Sequence, residues 1–398
     1  MQVVNDLQKL FANDQVKAFN PYSQSVFRKL SYCHTARMGS HLYRCNDATC
    51  SKEKLQYHSC GNRHCPNCGS TKKEDWIEER TVELLPTAYY HVVFTLPHEW
   101  NQLLMGNRKE GFKILFDAAS ETLLNNGRNP QFLGAQPGIT MVLHTWGQQL
   151  SFHPHLHCIV SGGGFADGKW VVAKRANSKF IFPIPGLRKM YKAIFLNKIR
   201  QSKTLKLEGI NLEKLIDETG KKRWKVYAKA PFGSPAVVVE YLGRYSHNLS
   251  RFFGKIAITK HRIISVDENS VRFRYKDYAD DNKTKEMEVS SGEFLRRFEQ
   301  HILPKRFVKI RYYGYLQNRN KHQRLSEIRA SLKIEAQKPL VKVPIEIKML
   351  SRFGIDVLKC PCCEHGRLVL VRSVYPRYDI RNKDSPLASG IEKRQPSI

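Results

Sequence analysis

Six of the chain's ten cysteines fall between Cys33 and Cys68, and a stretch so dense in thiols folds around whatever its sulfurs bind. Residues Met1 to Leu10 lack the basic-then-apolar order of a secretion signal. No run of about 18 apolar residues suggests a membrane span. The expected setting is therefore cytoplasmic, where clustered thiols bind metal rather than pair as disulfides. Cys33, His41, Cys45, Cys50, Cys60, His64, Cys65 and Cys68 form a set of candidate ligands large enough for two tetrahedral zinc ions. His34 and His58 are spares. Cys65-Pro66-Asn67-Cys68 is a knuckle whose turn aims both thiolates at one ion. His64 and Cys65 are adjacent, and neighbours rarely face one metal, so interleaved sites are expected, with the pairing left open. No general base accompanies these ligands, so the zinc is read as structural. A second knuckle, Cys360-Pro361-Cys362-Cys363 followed by His365, has the form of half a site. Cys360 and Cys363 are its candidate ligands, with the remainder coming from elsewhere in the chain.

Charge narrows the function. The 398 residues carry 66 Lys and Arg against 36 Asp and Glu, a formal net charge of +30. A neutral small substrate does not call for this, whereas a phosphate backbone does. Arg63, Lys72 and Lys73 flank the thiol cluster, which suits DNA contact there. Basic and aromatic residues interleave at Arg272-Phe273-Arg274-Tyr275 and at Arg311-Tyr312-Tyr313-Gly314-Tyr315. In single-strand binders, cations track phosphates while rings stack on bases. The competing reading of each segment is a half-buried strand with exposed arginines. Arg272, Arg274, Arg311, Tyr312 and Tyr313, with Arg63, are the candidate DNA contacts.

The body of the chain reads as mixed α and β. Strands are expected at Tyr89 to Leu96, Ile139 to Trp146 and His155 to Val160, the last closed by Ser161-Gly162-Gly163-Gly164. Three more follow at His261 to Val266, Val271 to Tyr278 and Lys285 to Val289. Ser234-Pro235 opens a helix that could run to Phe253, and the Ser290 and Glu293 spacing opens another. The stretch from Lys169 to Ala230 has no clear period. The tail beyond Gln317 is basic and broken by proline, and its last ~20 residues read as disordered.

The most informative segment is His153-Pro154-His155-Leu156-His157-Cys158. Alternate residues of a strand share a face, so His155 and His157 point together, about 7 Å apart. Two such imidazoles can converge on one metal. His153 has the right parity, although Pro154 is expected to interrupt the strand. Packing against the strand that carries His144 is the structural alternative. No paired carboxylates, phosphate-binding loop or Gly-x-Ser-x-Gly elbow accompanies the histidines. The basic charge makes a phosphodiester the natural substrate for such a metal.

Tyr241-Leu242-Gly243-Arg244-Tyr245 supplies a nucleophile. Tyrosines four apart on a helix stand one turn apart on one face, with Asn248 between their directions. A free phenol titrates near pH ~10. A cation on the scissile phosphate and the guanidinium of Arg244 would both favour the phenolate. Attack would leave a 5′-phosphotyrosine and a free 3′-hydroxyl, so rejoining needs no ATP. Val238, Leu249 and Phe252 extend the same stripe, and a purely core role for the tyrosines is the alternative.

At these residues the chain resembles a known family. His155-Leu156-His157 is similar to the histidine–hydrophobe–histidine signature of HUH endonucleases, and Tyr241 to Tyr245 to the Tyr-x-x-x-Tyr of their two-tyrosine group. With Asn62-Arg63-His64-Cys65-Pro66, His144-Thr145-Trp146-Gly147 and Arg311-Tyr312-Tyr313-Gly314, the chain resembles the bacterial rolling-circle insertion-sequence transposases, relatives of the helitrons. The likeness runs from about Cys33 to Leu316. It implies an α+β fold, an HUH core preceded by a small zinc-binding domain. The core would be a five-stranded antiparallel sheet with the histidines on a central strand and the tyrosine helix beside it. It implies Mg²⁺ or Mn²⁺ at the histidines, and single-stranded DNA, as transposon ends and target, as the partner. The segment from Ser246 to Lys255 is longer than the family pattern leads one to expect. It leaves the third metal ligand among His153, Gln148, Gln149 and Asn248.

Three consecutive regions are expected: a zinc-binding DNA-recognition domain over 1–85, the HUH nuclease over 86–320, and a basic C-terminal region over 321–398. No helicase motif is present, so unwinding must come from a host helicase or from replication. A nucleoid-associated enzyme that cleaves and rejoins single-stranded DNA is the leading reading. Its competitors are an HUH replication initiator or relaxase, and a zinc-finger DNA-binding protein without catalysis.

Overall fold

The computed structural model describes residues 2–68, 70–174, 180–229, 232, 257–336, 341, 343–378 and 386–393. Its strands, in chain order, are β1 (Ser40–Cys45), β2 (Glu53–Tyr57), β3 (Tyr89–Thr95), β4 (Gln136–Trp146), β5 (Phe152–Ala166), β6 (Lys169–Val172), β7 (Val226–Ala228), β8 (Ile263–Val266), β9 (Ser270–Asp277), β10 (Lys283–Ser290), β11 (Ile310–Tyr313), β12 (Leu368–Tyr378) and β13 (Pro386–Lys393). All their pairings are antiparallel. The chain forms two compact units, and neither follows the three consecutive regions expected from sequence. One unit takes Met1–Thr71, Ile258–Glu299 and Val341–Ile398; the other takes Lys72–Ala257 and Gln300–Leu340. Among the described residues no helix is long and apolar enough to cross a membrane.

The first unit has two sheets, one ordered β13-β12-β1-β2 and one ordered β10-β9-β8. Its N-terminal helices and the helix Ser291–Glu299 close on an aromatic core. Phe11, Phe27 and Phe298 lie within 5.3–5.7 Å of one another, centroid to centroid, and Phe294 joins Phe298 to Phe273 of β9. Asn20 caps the helix Pro21–Ser31, accepting the Ser23 amide at 3.0 Å, while Ser23 Oγ donates to Glu299 at 2.8 Å. These contacts draw 258–299 away from the nuclease region to which sequence order assigned it. The expected capping at Ser290 is present, with the Glu293 amide donating to Ser290 Oγ at 3.2 Å. Near the end of the chain β12 pairs with β1, and β13, within the stretch expected to be a tail, pairs with β12.

The second unit is built on the sheet β11-β4-β5-β3-β7, with β6 added along the far end of β5. The implied five-strand path is thus present with the histidine strand at its centre. Cross-strand partners share a face. Leu156, Cys158 and Val160 of β5 lie beside Phe94, Val92 and Tyr90 of β3 and Leu143, Met141 and Ile139 of β4. Phe94 packs on Tyr191 of the helix Ile184–Gln201, and Trp100, Phe195 and Trp224 complete this aromatic layer. The opposite face carries His155, His157 and Ile159.

Two expectations about β5 are corrected. Pro154 does not interrupt it, and the glycines do not close it. Pro154 lies beyond the last β3 partner, Thr95 opposite His155, and within the irregularity where β4 passes from His144 to Trp146. A missing amide is tolerated at such an edge or bulge. Gly163 and Gly164 continue the strand and pair with Val172 and Val171 of β6. The stretch from Lys169 to Ala230, unreadable by period, supplies β6, two helices and β7.

Gly314, in the Arg311-Tyr312-Tyr313-Gly314 motif, has φ +65°, and a Cβ there would overlap the Pro137 carbonyl oxygen. Gly314→Ala therefore combines left-handed strain with overpacking. We expect a loss of about 2–5 kcal/mol, read as a lower urea midpoint for the full chain. An unchanged midpoint would contradict this close approach.

Candidate functional site

Three imidazoles meet on the face of the central strand away from the aromatic helix layer. His144 of β4 lies directly opposite His155 of β5, with His157 two residues further along. Their ligand nitrogens all lie within 4.8 Å of one another. His144 and His157 are buried, whereas His155 keeps partial exposure, so the cluster is reached from the His155 side.

Hydrogen bonds orient the rings. His155 Nδ1 donates to the His153 carbonyl at 2.7 Å, which leaves the lone pair on Nε2. His157 Nδ1 lies 2.9 Å from Nε2 of His91, a buried residue of β3, in nearly parallel rings. A second imidazole behind a ligating one fixes its tautomer and direction. Burial holds His155 down to about 4 and His91 to about 3, and pushes His157 well below the ordinary histidine range. Lys225, Lys229 and Lys309 add to this by repulsion at His153, His91 and His157 respectively. These shifts favour the neutral, ligating form at His155 and His157, and the lysines set a positive field suited to phosphate.

The thiols gather into two groups of four, Cys33, Cys60, Cys65 and Cys68, and Cys45, Cys50, Cys360 and Cys363. In the first, Cys33 to Cys65 and Cys60 to Cys68 are each 3.5 Å apart, sulfur to sulfur. Disulfide sulfurs would stand about 2.05 Å apart. A Zn–S bond of about 2.3 Å gives tetrahedral edges of about 3.8 Å, so the spacing fits a four-thiolate zinc site.

Residues 3–96 match the model of the IS91 transposase zinc-binding domain, and residues 138–324 match the model described as "Putative transposase". The chain is 36% identical over 364 residues to "Putative transposase y4qJ" of Sinorhizobium fredii, covering 87% of this chain and 88% of that protein. The chain belongs to the IS91-type transposase family. It is also 27% identical over 347 residues to the transposase for insertion sequence element IS801 of Pseudomonas savastanoi pv. phaseolicola, over 84% of this chain and 80% of the relative. No solved structure matches. Transposases of this family act in rolling-circle transposition, with DNA as substrate, and this one carries a zinc-binding domain at its N-terminus.

The transposase does not assemble every residue that its sequence nominated. His41 and His64 belong to neither thiol group. His41 Nδ1 bonds Ser373 Oγ at 2.8 Å, and His64 Nδ1 lies 2.9 Å from Asn62 Oδ1 in a turn. Cys360 and Cys363 supply the thiols that stand in their place. His34 and His58 face backbone carbonyls of Tyr57 and Met38. His153 is displaced from the histidine cluster by His144. His153 is four residues from His157, about 13 Å along a strand, whereas direct cross-strand neighbours are about 5 Å apart. The signal for His144 was present in His144-Thr145-Trp146, but only the register makes it a neighbour. Tyr241, Arg244, Tyr245 and Asn248 lie outside the described residues.

The candidate DNA contacts divide. Arg63 is exposed beside the first thiol group. Arg272 and Arg274 are exposed on β9, yet they face Glu288 and Glu286 across the strand pair, while Phe273 between them is buried. The Arg311 guanidinium lies 4.2 Å from the Phe116 ring centroid, and Tyr312 OH accepts from Trp76 Nε1 and Arg80 Nη1, each at 2.8 Å. Tyr313 is half-buried. This last motif braces the sheet edge.

The depressed histidines make a testable link to stability. The unfolded chain takes up protons near pH 6.5, whereas His155 in the fold resists until about 4. Their contribution is full above about pH 6.5 and is lost as pH falls towards the folded value. We expect the urea midpoint of chelator-treated protein to drop across this window, and the drop to be shallower in His155→Gln. Equal slopes in the two proteins would assign the loss to other groups.

Proposed function

We propose that His144, His155 and His157 hold a divalent cation, and that Tyr241 and Tyr245 are the nucleophiles that cut and rejoin single-stranded DNA at the transposon ends and target. The observation that carries this reading is the three-histidine cluster on the central strand of an IS91-type transposase. Its donors fit a transition metal: three imidazoles, one with its tautomer set by a carbonyl and one held by His91. Imidazole favours Mn²⁺ over Mg²⁺, which prefers oxygen ligands and retains its waters. When bound, the cation would polarise a phosphoryl oxygen and disperse charge in the transition state.

The chain's own residues would do the rest. Lys225, Lys229 and Lys309 would draw the backbone towards the histidines. A tyrosine oxygen would bond to phosphorus as the bond to the 3′ oxygen breaks. The phenolic proton would pass to solvent, and the leaving 3′ oxygen would take one proton from solvent to become a hydroxyl. The result is a 5′-phosphotyrosine that the same hydroxyl, or another, can reverse. The residues before the tyrosine segment support this reading, because the Lys229 amide bonds the His91 carbonyl at 2.9 Å and the Phe232 amide bonds the Tyr89 carbonyl at 3.0 Å. Lys229 and Phe232 thus lie against β3 beside His91. Unwinding would come from a host helicase or from replication.

The test is denaturing electrophoresis of the protein with labelled single-stranded end DNA, with Mn²⁺ or chelator. Wild type should give a metal-dependent covalent band, absent in the Tyr241→Phe/Tyr245→Phe double variant. Persistence of the band in the double variant would remove the tyrosines from the reaction, and tight binding without any band would favour a DNA-binding protein without catalysis.

The ligand set is tested separately by calorimetric Mn²⁺ titration. His144→Ala should abolish measurable binding and His153→Ala should leave it nearly unchanged. His91→Ala should weaken it about 10–100-fold, as loss of a group that orients a ligand does. Equal losses for His144→Ala and His153→Ala would overturn the assignment of the third ligand.

A further inference from the structure

The second thiol group joins the two ends of the chain. Cys45 and Cys50 lie in the N-terminal region, whereas Cys360 and Cys363 lie beyond both matched family models, which end at residues 96 and 324. We propose that these four cysteines bind a second zinc ion, and that this ion is the clasp that builds the chain's last segment into the N-terminal zinc module.

The geometry supports a metal. Cys45 to Cys363 measures 3.5 Å and Cys50 to Cys360 3.8 Å, sulfur to sulfur. These match the tetrahedral edge of about 3.8 Å expected around zinc and far exceed the disulfide length of about 2.05 Å. Backbone amides point at the sulfurs, Asp47 to Cys45 at 3.5 Å and Cys362 to Cys360 at 3.4 Å. The second knuckle folds back on itself, with the Cys360 amide donating to the Gly366 carbonyl at 3.0 Å. Gly366 is required there. A Cβ would overlap the Cys45 sulfur and stand 2.7 Å from that of Cys363. The backbone is therefore pressed against the thiols, as in a metal knuckle.

The surroundings show why an ion is needed. No residue from 46 to 59 is buried, and from 354 to 367 only Cys360 and Gly366 are. Two segments with no apolar core of their own meet at the thiols. A structural metal commonly replaces such a core in small modules. The neighbouring ladder extends the same junction, with Cys45 opposite Leu368 and Ser40 opposite Val374. Strand pairing across more than 300 residues of sequence must overcome loop-closure entropy, and four metal–thiolate bonds beside the ladder offset it. The first thiol group, by contrast, is complete within residues 33–68. The module would thus fold in two stages, its inner site from the N-terminal region alone and its outer site only once the C-terminal segment is present.

The full-length protein tests this. Elemental analysis should show that Cys360→Ser/Cys363→Ser contains one zinc ion fewer per chain than wild type, as should Cys45→Ser/Cys50→Ser. Zinc content unchanged in either variant, or iron in place of zinc, would overturn the proposal. A second measurement on wild type does not depend on how the variants fold. N-ethylmaleimide with peptide mass mapping should label exposed Cys362 at least tenfold faster than Cys45, Cys50, Cys360 and Cys363. A strong zinc chelator should expose those four together and allow trypsin to release the C-terminal segment. Labelling of Cys360 and Cys363 while Cys45 and Cys50 remain protected would break the shared site.

Discussion

The second unit depends on one cross-strand pairing, His144 of β4 directly opposite His155 of β5. That register turns a pair of histidines on one strand into a three-sided cluster and decides that His144, not His153, completes it. The same ladder sets Phe94, Leu156 and Leu143 on the opposite face, where Tyr191 and its aromatic neighbours cover them. A one-residue slip would exchange the two faces. It would bury the imidazoles under helices and expose the core. Packing and chemistry are therefore selected by the same pairing, and β4 and β5 resume it at Trp146 and Phe152 beyond the irregularity at Pro154.

Electrostatics follow from that placement. Burial in a desolvated sheet face holds His91, His155 and His157 below the ordinary histidine range, and neutral imidazole is the form that ligates. The lysines around them raise the local potential without contributing ligands. An anionic backbone would thus be attracted to a centre whose metal-ligand cluster, among the described residues, is made of histidines alone. His91 extends the arrangement one layer deeper, since its contact with His157 fixes a ring that strand geometry alone would leave able to turn.

The zinc-binding unit shows the reverse relation between chain order and structure. Its helices close on Phe273, Phe294 and Phe298, drawn from the middle of the chain, and its sheet closes on β12 from near the end. Apolar burial and strand pairing, neither of which respects sequence distance, override the tidy succession of regions that composition suggests. The arginine–aromatic segments teach a related lesson. Interleaving reads as a nucleic-acid surface, yet Phe273 is core, Arg311 stacks on Phe116 and Tyr312 is a hydrogen-bond acceptor between Trp76 and Arg80. Alternation along a strand distributes its residues between two faces, and only the packing on each face tells which one meets solvent.

By itself the sequence determined the classes of chemistry present. Thiol density pointed to zinc, the net charge to a phosphate backbone, and the alternating histidines to a metal-binding face, because these signals are local or compositional. It also determined most strands of the core, since β-branched and aromatic runs such as Tyr89 to Thr95 declare themselves through short-range preference. Only the tertiary structure decided which thiols share a site, which histidine joins the pair and where the last segment belongs. Each of those outcomes turns on residues that are distant in the chain and adjacent across a ladder or a knuckle. Register and loop closure, the physical terms that bring them together, leave no mark on any local stretch of sequence.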